Sequence, residues 1–87
     1  MEITVYSKPQ CSYCAKAKAL LRDREWEFED LTLDIDYGIE DLMKLIGPDN
    51  PRTVPQIVID GKLVGGHDAL VKWLKEYDLQ NPGEASF

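Results

Sequence analysis

The chain has 87 residues, 44% of them hydrophobic and 30% charged, with a formal net charge of −6. That size holds one domain with a modest core, and the balance is that of a soluble globular protein. The negative charge argues against nucleic acid or an anionic membrane as a partner, and no apolar stretch approaches the ~20 residues that cross a bilayer. Residues 1–6 form too short an apolar run for a signal peptide and include acidic Glu2. A reducing cytoplasm is therefore the expected compartment, where a cysteine pair is more often catalytic than structural.

Residues 2–6 alternate and are rich in β-branched side chains, which predicts a first strand. Ser7-Lys8-Pro9-Gln10 is turn material, and Pro9 stops the strand. Residues 12–24 read as a helix of good formers, with Cys14, Ala17 and Leu21 on one face. Phe28, Leu31, Leu33 and Ile35 predict a second strand within residues 26–35, with an irregular start. Ile39, Leu42, Met43 and Ile46 give an amphipathic helix stopped by Gly47-Pro48, and Met43 is expected in the core.

Asp49-Asn50-Pro51-Arg52 is a loop, and residues 56–60 and 62–64 are strands joined at Asp60-Gly61, a strong hairpin signal. Gly65-Gly66 precedes a last helix over residues 67–77, whose apolar face is Leu70, Trp73, Leu74 and Tyr77. Residues 1–80 form one domain, and residues 81–87, with Pro82, Gly83 and no periodicity, are expected to be a flexible tail. The order βαβαββα predicts an α/β fold: a βαβ unit, a hairpin and a closing helix, giving a mixed sheet covered by helices.

Both cysteines, Cys11 and Cys14, sit where the first strand gives way to the first helix. The amides of a first helical turn, the helix dipole, Lys8 and Lys16 all favour a thiolate at Cys11. Cys14, one turn on, can attack a mixed disulfide formed there. Lys8, Lys16, Lys18, Arg22 and Arg24 make this end locally basic. A structural disulfide across two residues would restrict the unfolded chain little. A zinc site normally takes four ligands, and only His67 could join the two sulfurs as a usual nitrogen ligand. Two inert core cysteines remain the other alternative to redox chemistry.

Three motifs carry a resemblance to a known family. Tyr6-Ser7-Lys8-Pro9-Gln10-Cys11-Ser12-Tyr13-Cys14 resembles the active site of the dithiol glutaredoxins. Thr53-Val54-Pro55 resembles their Thr-Val-Pro loop, and Gly65-Gly66-His67-Asp68 their glycine pair before the last helix. Order and spacing match up to about Tyr77. The resemblance implies the thioredoxin fold in its smallest form, with a four-stranded mixed sheet flanked by helices.

It also implies roles. Cys11 becomes the nucleophile, Cys14 the resolving thiol and Pro55 a cis-proline, with Thr53 in the same loop. Val54 would offer its backbone to the cysteine of glutathione, as an added strand does. Lys8, with Arg52 or Gln56, would face the glycyl carboxylate, and Tyr13 would lie along the peptide. Gly66, His67 and Asp68 would meet the γ-glutamyl end at a helix N-terminus. Plainer readings stand beside these: Thr53-Val54 as an ordinary strand entry, Asp68 as a helix N-cap and His67 as an exposed loop residue.

Two positions depart from the family's pattern. Ser12 stands where proline commonly follows the nucleophile, and Ala69 where many members carry a further aspartate. The expected activity is glutathione-dependent thiol–disulfide exchange on protein disulfides and glutathione mixed disulfides. Alternatives are an electron donor reduced by thioredoxin reductase, and a dimer that holds a [2Fe–2S] cluster through Cys11 and glutathione, as some relatives lacking that proline do. A monomer is expected for the enzyme. Ribonucleotide reductase is a common client of the family, but no residue here selects it.

Overall fold

A computed structural model of the chain describes residues 1–49 and 53–82. The elements run β1 (Ile3–Ser7), α1 (Ser12–Asp23), β2 (Glu29–Thr32), α2 (Ile39–Ile46), β3 (Gln56–Ile59), β4 (Lys62–Gly65) and α3 (His67–Gln80). The sheet order is β2-β1-β3-β4. β1 pairs parallel with β2, from Thr4 opposite Glu29 to Ser7 opposite Thr32, and antiparallel with β3, from Ile3 opposite Ile59 to Tyr6 opposite Gln56. The sheet is therefore mixed, as expected.

Alternation along β1 divides the core. Ile3 and Val5 join Ala17, Leu21, Ile57, Ile59, Leu70 and Leu74 in one buried cluster. This cluster lies between the sheet and the helices α1 and α3. Tyr6 turns to a second cluster around Tyr37, Leu42 and Ile46, next to Leu31, Leu33, Leu45 and Val54. Each fully buried aliphatic side chain contributes about 1.5–3 kcal/mol. Asp60 and Gly61, at φ 51° and 80°, turn the β3–β4 hairpin in the left-handed region. Asp60 also pins the start of β1, its Oδ1 accepting from Glu2 N at 2.8 Å and its N–H donating to Glu2 O at 2.8 Å.

Within the elements, the structure corrects three expectations. β2 stops at Thr32, and Ile35 is 78% exposed instead of lying in the strand. The N–H groups of Ile35 and Asp36 both donate to Thr32 O, and the Asp36 carboxylate accepts from Thr32 N. Asp34, at φ 67°, completes the turn. Local aspartate hydrogen bonding outweighs the apolar count. Met43 is half-buried beside Glu40, Lys44, Gly47 and Pro48, because α2 centres its buried face on Leu42 and Ile46. The last helix runs on to Gln80, where Asn81 caps it through Nδ2 to Tyr77 O at 3.0 Å. Of the expected tail, residues 83–87 lie outside the described residues.

α1 ends in a Schellman motif: Trp26 N donates to Leu21 O and Glu25 N to Arg22 O. Glu25 holds the left-handed position at φ 61°, a conformation that costs an ordinary side chain about 1–2 kcal/mol. Glu25→Gly is expected to stabilise the protein by about 0.5–1 kcal/mol, raising the thermal midpoint by a few degrees. A scanning calorimetry comparison checks this, and a lowered midpoint would contradict it.

Candidate active site

The site begins at the end of β1. Ser7 is 2% exposed, and its hydroxyl donates to Asp30 Oδ1 at 2.8 Å and lies 3.2 Å from Leu31 O. Ser7 O in turn accepts from the Tyr37 hydroxyl at 2.7 Å and from Leu33 N at 2.9 Å. Lys18 of α1 reaches the same carboxylate, Nζ to Asp30 Oδ2 at 2.9 Å. Burial raises the Asp30 carboxyl, but the bonds from Lys18 and Ser7 outweigh it and hold the carboxyl below its ordinary value. Burial, with Tyr6 and Asp34 nearby, raises the Tyr37 phenol. The point where the chain leaves the sheet for the cysteines is thus braced from β2, α1 and Tyr37. Sequence reasoning missed this brace. In the sequence, Ser7 reads as turn material, and Tyr37 stands outside every periodic run.

Gln10, at φ 57°, turns the chain into α1, and Cys11 is the N-cap of that helix. Its sulfur accepts from Cys14 N at 3.2 Å, filling the role that a hydroxyl or carboxylate usually takes. Cys11 and Cys14, with Cα atoms 5.2 Å apart, are joined as a disulfide. Cys14 is 1% exposed and shares the inner face of α1 with Ala17 and Leu21, whereas Cys11 is half-buried. In the reduced protein the N-terminal amides of α1 stabilise negative charge on Cys11. Iodoacetamide applied at about pH 6, with peptide mapping, is therefore expected to label Cys11 first. Preferential labelling of Cys14 would reverse the assignment.

Opposite the disulfide, the Val54–Pro55 peptide is cis, Pro55 is buried, and Val54 O lies 3.8 Å from Cys11 Sγ. Gln56 is 7% exposed and donates from Nε2 to Thr53 O at 2.9 Å. The Gln56 amide thus braces the loop that holds the cis peptide. Arg52, a candidate for the glycyl carboxylate, lies outside the described residues. Lys8 is exposed and forms no ion pair among the described residues. Lys16 stands over the Tyr13 ring, 5.0 Å from its centroid.

A cleft of about 370 Å³ follows the loop, lined by Tyr13, Thr53, Val54, Pro55, Gly66, His67, Asp68 and Ala69. It thus brings together Tyr13, the Thr-Val-Pro loop and the residues after the glycine pair. Gly65, at φ 122°, comes so close to α3 that an added Cβ would stand 2.9 Å from Ala69 Cβ. Gly66 is the N-cap of α3 and has no side chain to cap it, so the first amides of α3 open beside the cleft. Asp68 lies two residues inside the helix, which corrects its reading as N-cap: its side chain is 99% exposed. His67 is the first residue of α3 and not a loop residue.

A cysteine pair capping the first helix, a cis-proline loop against it and a glycine pair opening the last helix define a dithiol site on a thioredoxin-like fold. The glutaredoxin family model matches residues 3–64, and the chain belongs to the glutaredoxin family, a family of thiol–disulfide oxidoreductases. It is 41% identical over 82 residues to glutaredoxin 1 of Rickettsia conorii, covering 93% of this chain and 74% of that protein. It is 42% identical over 71 residues to the hybrid peroxiredoxin hyPrx5 of Haemophilus influenzae, covering 82% of this chain but only 28% of the longer relative. The buckwheat glutaredoxin–glutathione complex superposes with a TM-score of 0.74 at 26% identity, over 91% of this chain and 73% of that one.

Proposed function

We propose that the chain is a glutathione-dependent reductase of protein disulfides and of glutathione mixed disulfides. The observation that carries this reading is the asymmetry of the pair. Cys11 is half-buried beside the Val54 carbonyl, 3.8 Å away, and Cys14 is 1% exposed behind it. The glutathione complex of the buckwheat relative supports glutathione as the ligand of the adjoining cleft.

The Cys11 thiolate attacks one sulfur of a substrate disulfide, and the substrate S–S bond breaks. One substrate thiolate leaves and takes a proton, while the other sulfur stays bonded to Cys11. The Cys14 thiolate then attacks Cys11 Sγ and expels the second substrate thiolate, so two electrons have passed to the substrate. A glutathione thiolate attacks Cys11 of the resulting disulfide and frees Cys14. A second glutathione attacks the bound one, releasing glutathione disulfide and the Cys11 thiolate. With a glutathionylated substrate, Cys11 attacks the glutathione sulfur directly, and Cys14 is not needed.

Steady-state reduction of a glutathionylated peptide tests the reading. Turnover with glutathione and glutathione reductase supports it, and turnover with thioredoxin reductase alone replaces it with the other electron donor. Among the described residues no group of three or more His, Cys, Asp or Glu side chains gathers as a metal site. A cluster shared by two copies would draw on Cys11 of each and on glutathione. The colour of protein purified without air in the presence of glutathione separates the two.

A further inference from the structure

The wall of the cleft between α1 and α3 carries a line of contacts that the exchange chemistry does not use. Lys16 Nζ stands 5.0 Å from the Tyr13 ring centroid, and the Tyr13 ring lies 5.7 Å from that of His67, tilted by 45°. His67 Nδ1 is 3.1 Å from Asp68 Oδ1. The His67 side chain is 20% exposed and that of Asp68 is 99% exposed. A half-buried imidazole thus holds a carboxylate that is otherwise surrounded by water. Among the described residues Asp68 has no other side-chain partner.

We propose that His67 is a positioning residue for the ammonium-bearing end of the ligand: its imidazole sets the Asp68 carboxylate at the mouth of the cleft, and its charge state sets how strongly that carboxylate attracts an ammonium group. The inference rests on the reading of the cleft as a glutathione site. With Nδ1 carrying the proton, a neutral imidazole donates to Asp68 and leaves its full negative charge facing the ligand. Once Nε2 is protonated too, the hydrogen bond persists, but a second positive charge stands beside the ammonium. The local pair then goes from a net charge of about −1 to about zero, and its attraction for the ammonium falls accordingly.

The groups around the imidazole leave Asp68 as the acidic one. From α1 come the Tyr13 ring and, beyond it, the Lys16 ammonium. From the loop before β3 come Thr53, Val54 and Pro55, which carry no charge, and from α3 come Asp68 itself and uncharged Ala69. Ala69 matters here because it supplies no second carboxylate at the cleft. The effect of His67 on Asp68 is therefore not diluted at that position.

Binding of S-methylglutathione to the oxidised protein, followed by NMR shift titration, tests the inference without any thiol exchange. Between about pH 7.5 and about pH 5.5 this ligand keeps its ammonium and both carboxylates charged, so a change in affinity reports groups of the protein. The wild-type protein is expected to bind roughly two- to fivefold more weakly at the lower pH, the range of an exposed charge pair. The N-acetylated ligand, which has no ammonium, should show no such loss. His67→Asn keeps an amide donor for Asp68 without titrating and should flatten the profile; Asp68→Asn should flatten it as well and weaken binding at the higher pH. An imidazole with a merely structural role would leave the wild-type profile flat. A flat wild-type profile, or an equal loss with the N-acetylated ligand, overturns the inference while leaving glutathione binding intact. No binding of S-methylglutathione at the higher pH overturns the glutathione reading and the inference with it.

Discussion

Cys11→Ser is expected to abolish turnover on every disulfide substrate, while Cys14→Ser retains reduction of glutathione mixed disulfides and loses most reduction of protein disulfides. The difference follows from where α1 places the two sulfurs. Cys11 is the N-cap, half-buried beside the cleft, and its sulfur already accepts the Cys14 amide at 3.2 Å. A serine oxygen can take that amide, so the helix remains capped and the loss is one of chemistry. Ser at position 11 has no accessible anion near neutral pH, and the fall in rate should reach the background of uncatalysed exchange. Cys14 is 1% exposed, so no bulky substrate reaches it first. Its part begins only after Cys11 has formed a mixed disulfide, and with glutathione as the bound group a second glutathione replaces it. Parallel assays on a glutathionylated peptide and on a protein disulfide separate the two routes. Appreciable turnover by Cys11→Ser would sink the assignment.

A large effect on stability is expected at Gly65. Its φ of 122° is open to glycine alone, and an added Cβ would meet Ala69 Cβ at 2.9 Å. Gly65→Ala thus combines backbone strain of about 1–3 kcal/mol with overpacking of about 1–3 kcal/mol, a loss of roughly 2–6 kcal/mol. That is a large share of the total stability of so small a domain. Urea unfolding measures it. In the double variant Gly65→Ala/Ala69→Gly the side-chain collision is gone and the strained φ remains, so part of the loss should return. A single-variant loss below about 1 kcal/mol would mean that the β4–α3 junction relaxes easily.

The cysteine pair, the hairpin and the helical stripes were legible because each is a local pattern with one dominant cause. Asp60-Gly61 can do little but turn, and Cys14, Ala17 and Leu21 fall on one face at any reasonable helix start. Val54–Pro55 was legible as a cis bond only through the family resemblance, since a lone X-Pro bond reads as trans. Other features depend on partners distant in sequence. Asp30 is a charge inside a strand, at home there because Lys18 and Ser7 come to it from α1 and β1. The contact of the Gln56 amide with Thr53 likewise exists only in the folded loop. Ile35 lost its expected place in β2 to the hydrogen bonds of Asp36 one residue away. The plainer reading of Asp68 as a cap fails because Gly66, with no side chain, takes the N-cap position.

The aromatic residues at the far end of the molecule bear on how it can be watched. Trp26 follows α1, and it meets Trp73 at 6.3 Å and Tyr77 at 5.1 Å, ring centre to ring centre. These are both of the protein's tryptophans. The disulfide opens the same helix, whose 12 residues span about 18 Å. A disulfide quenches indole emission at close contact, so the emission of this cluster reports whether the chain is folded and is blind to whether the cysteines are joined. Unfolding curves of the oxidised and reduced protein are then read on one scale by one probe. Their difference in free energy, divided by the charge of two electrons, is the shift in reduction potential that folding imposes on the pair.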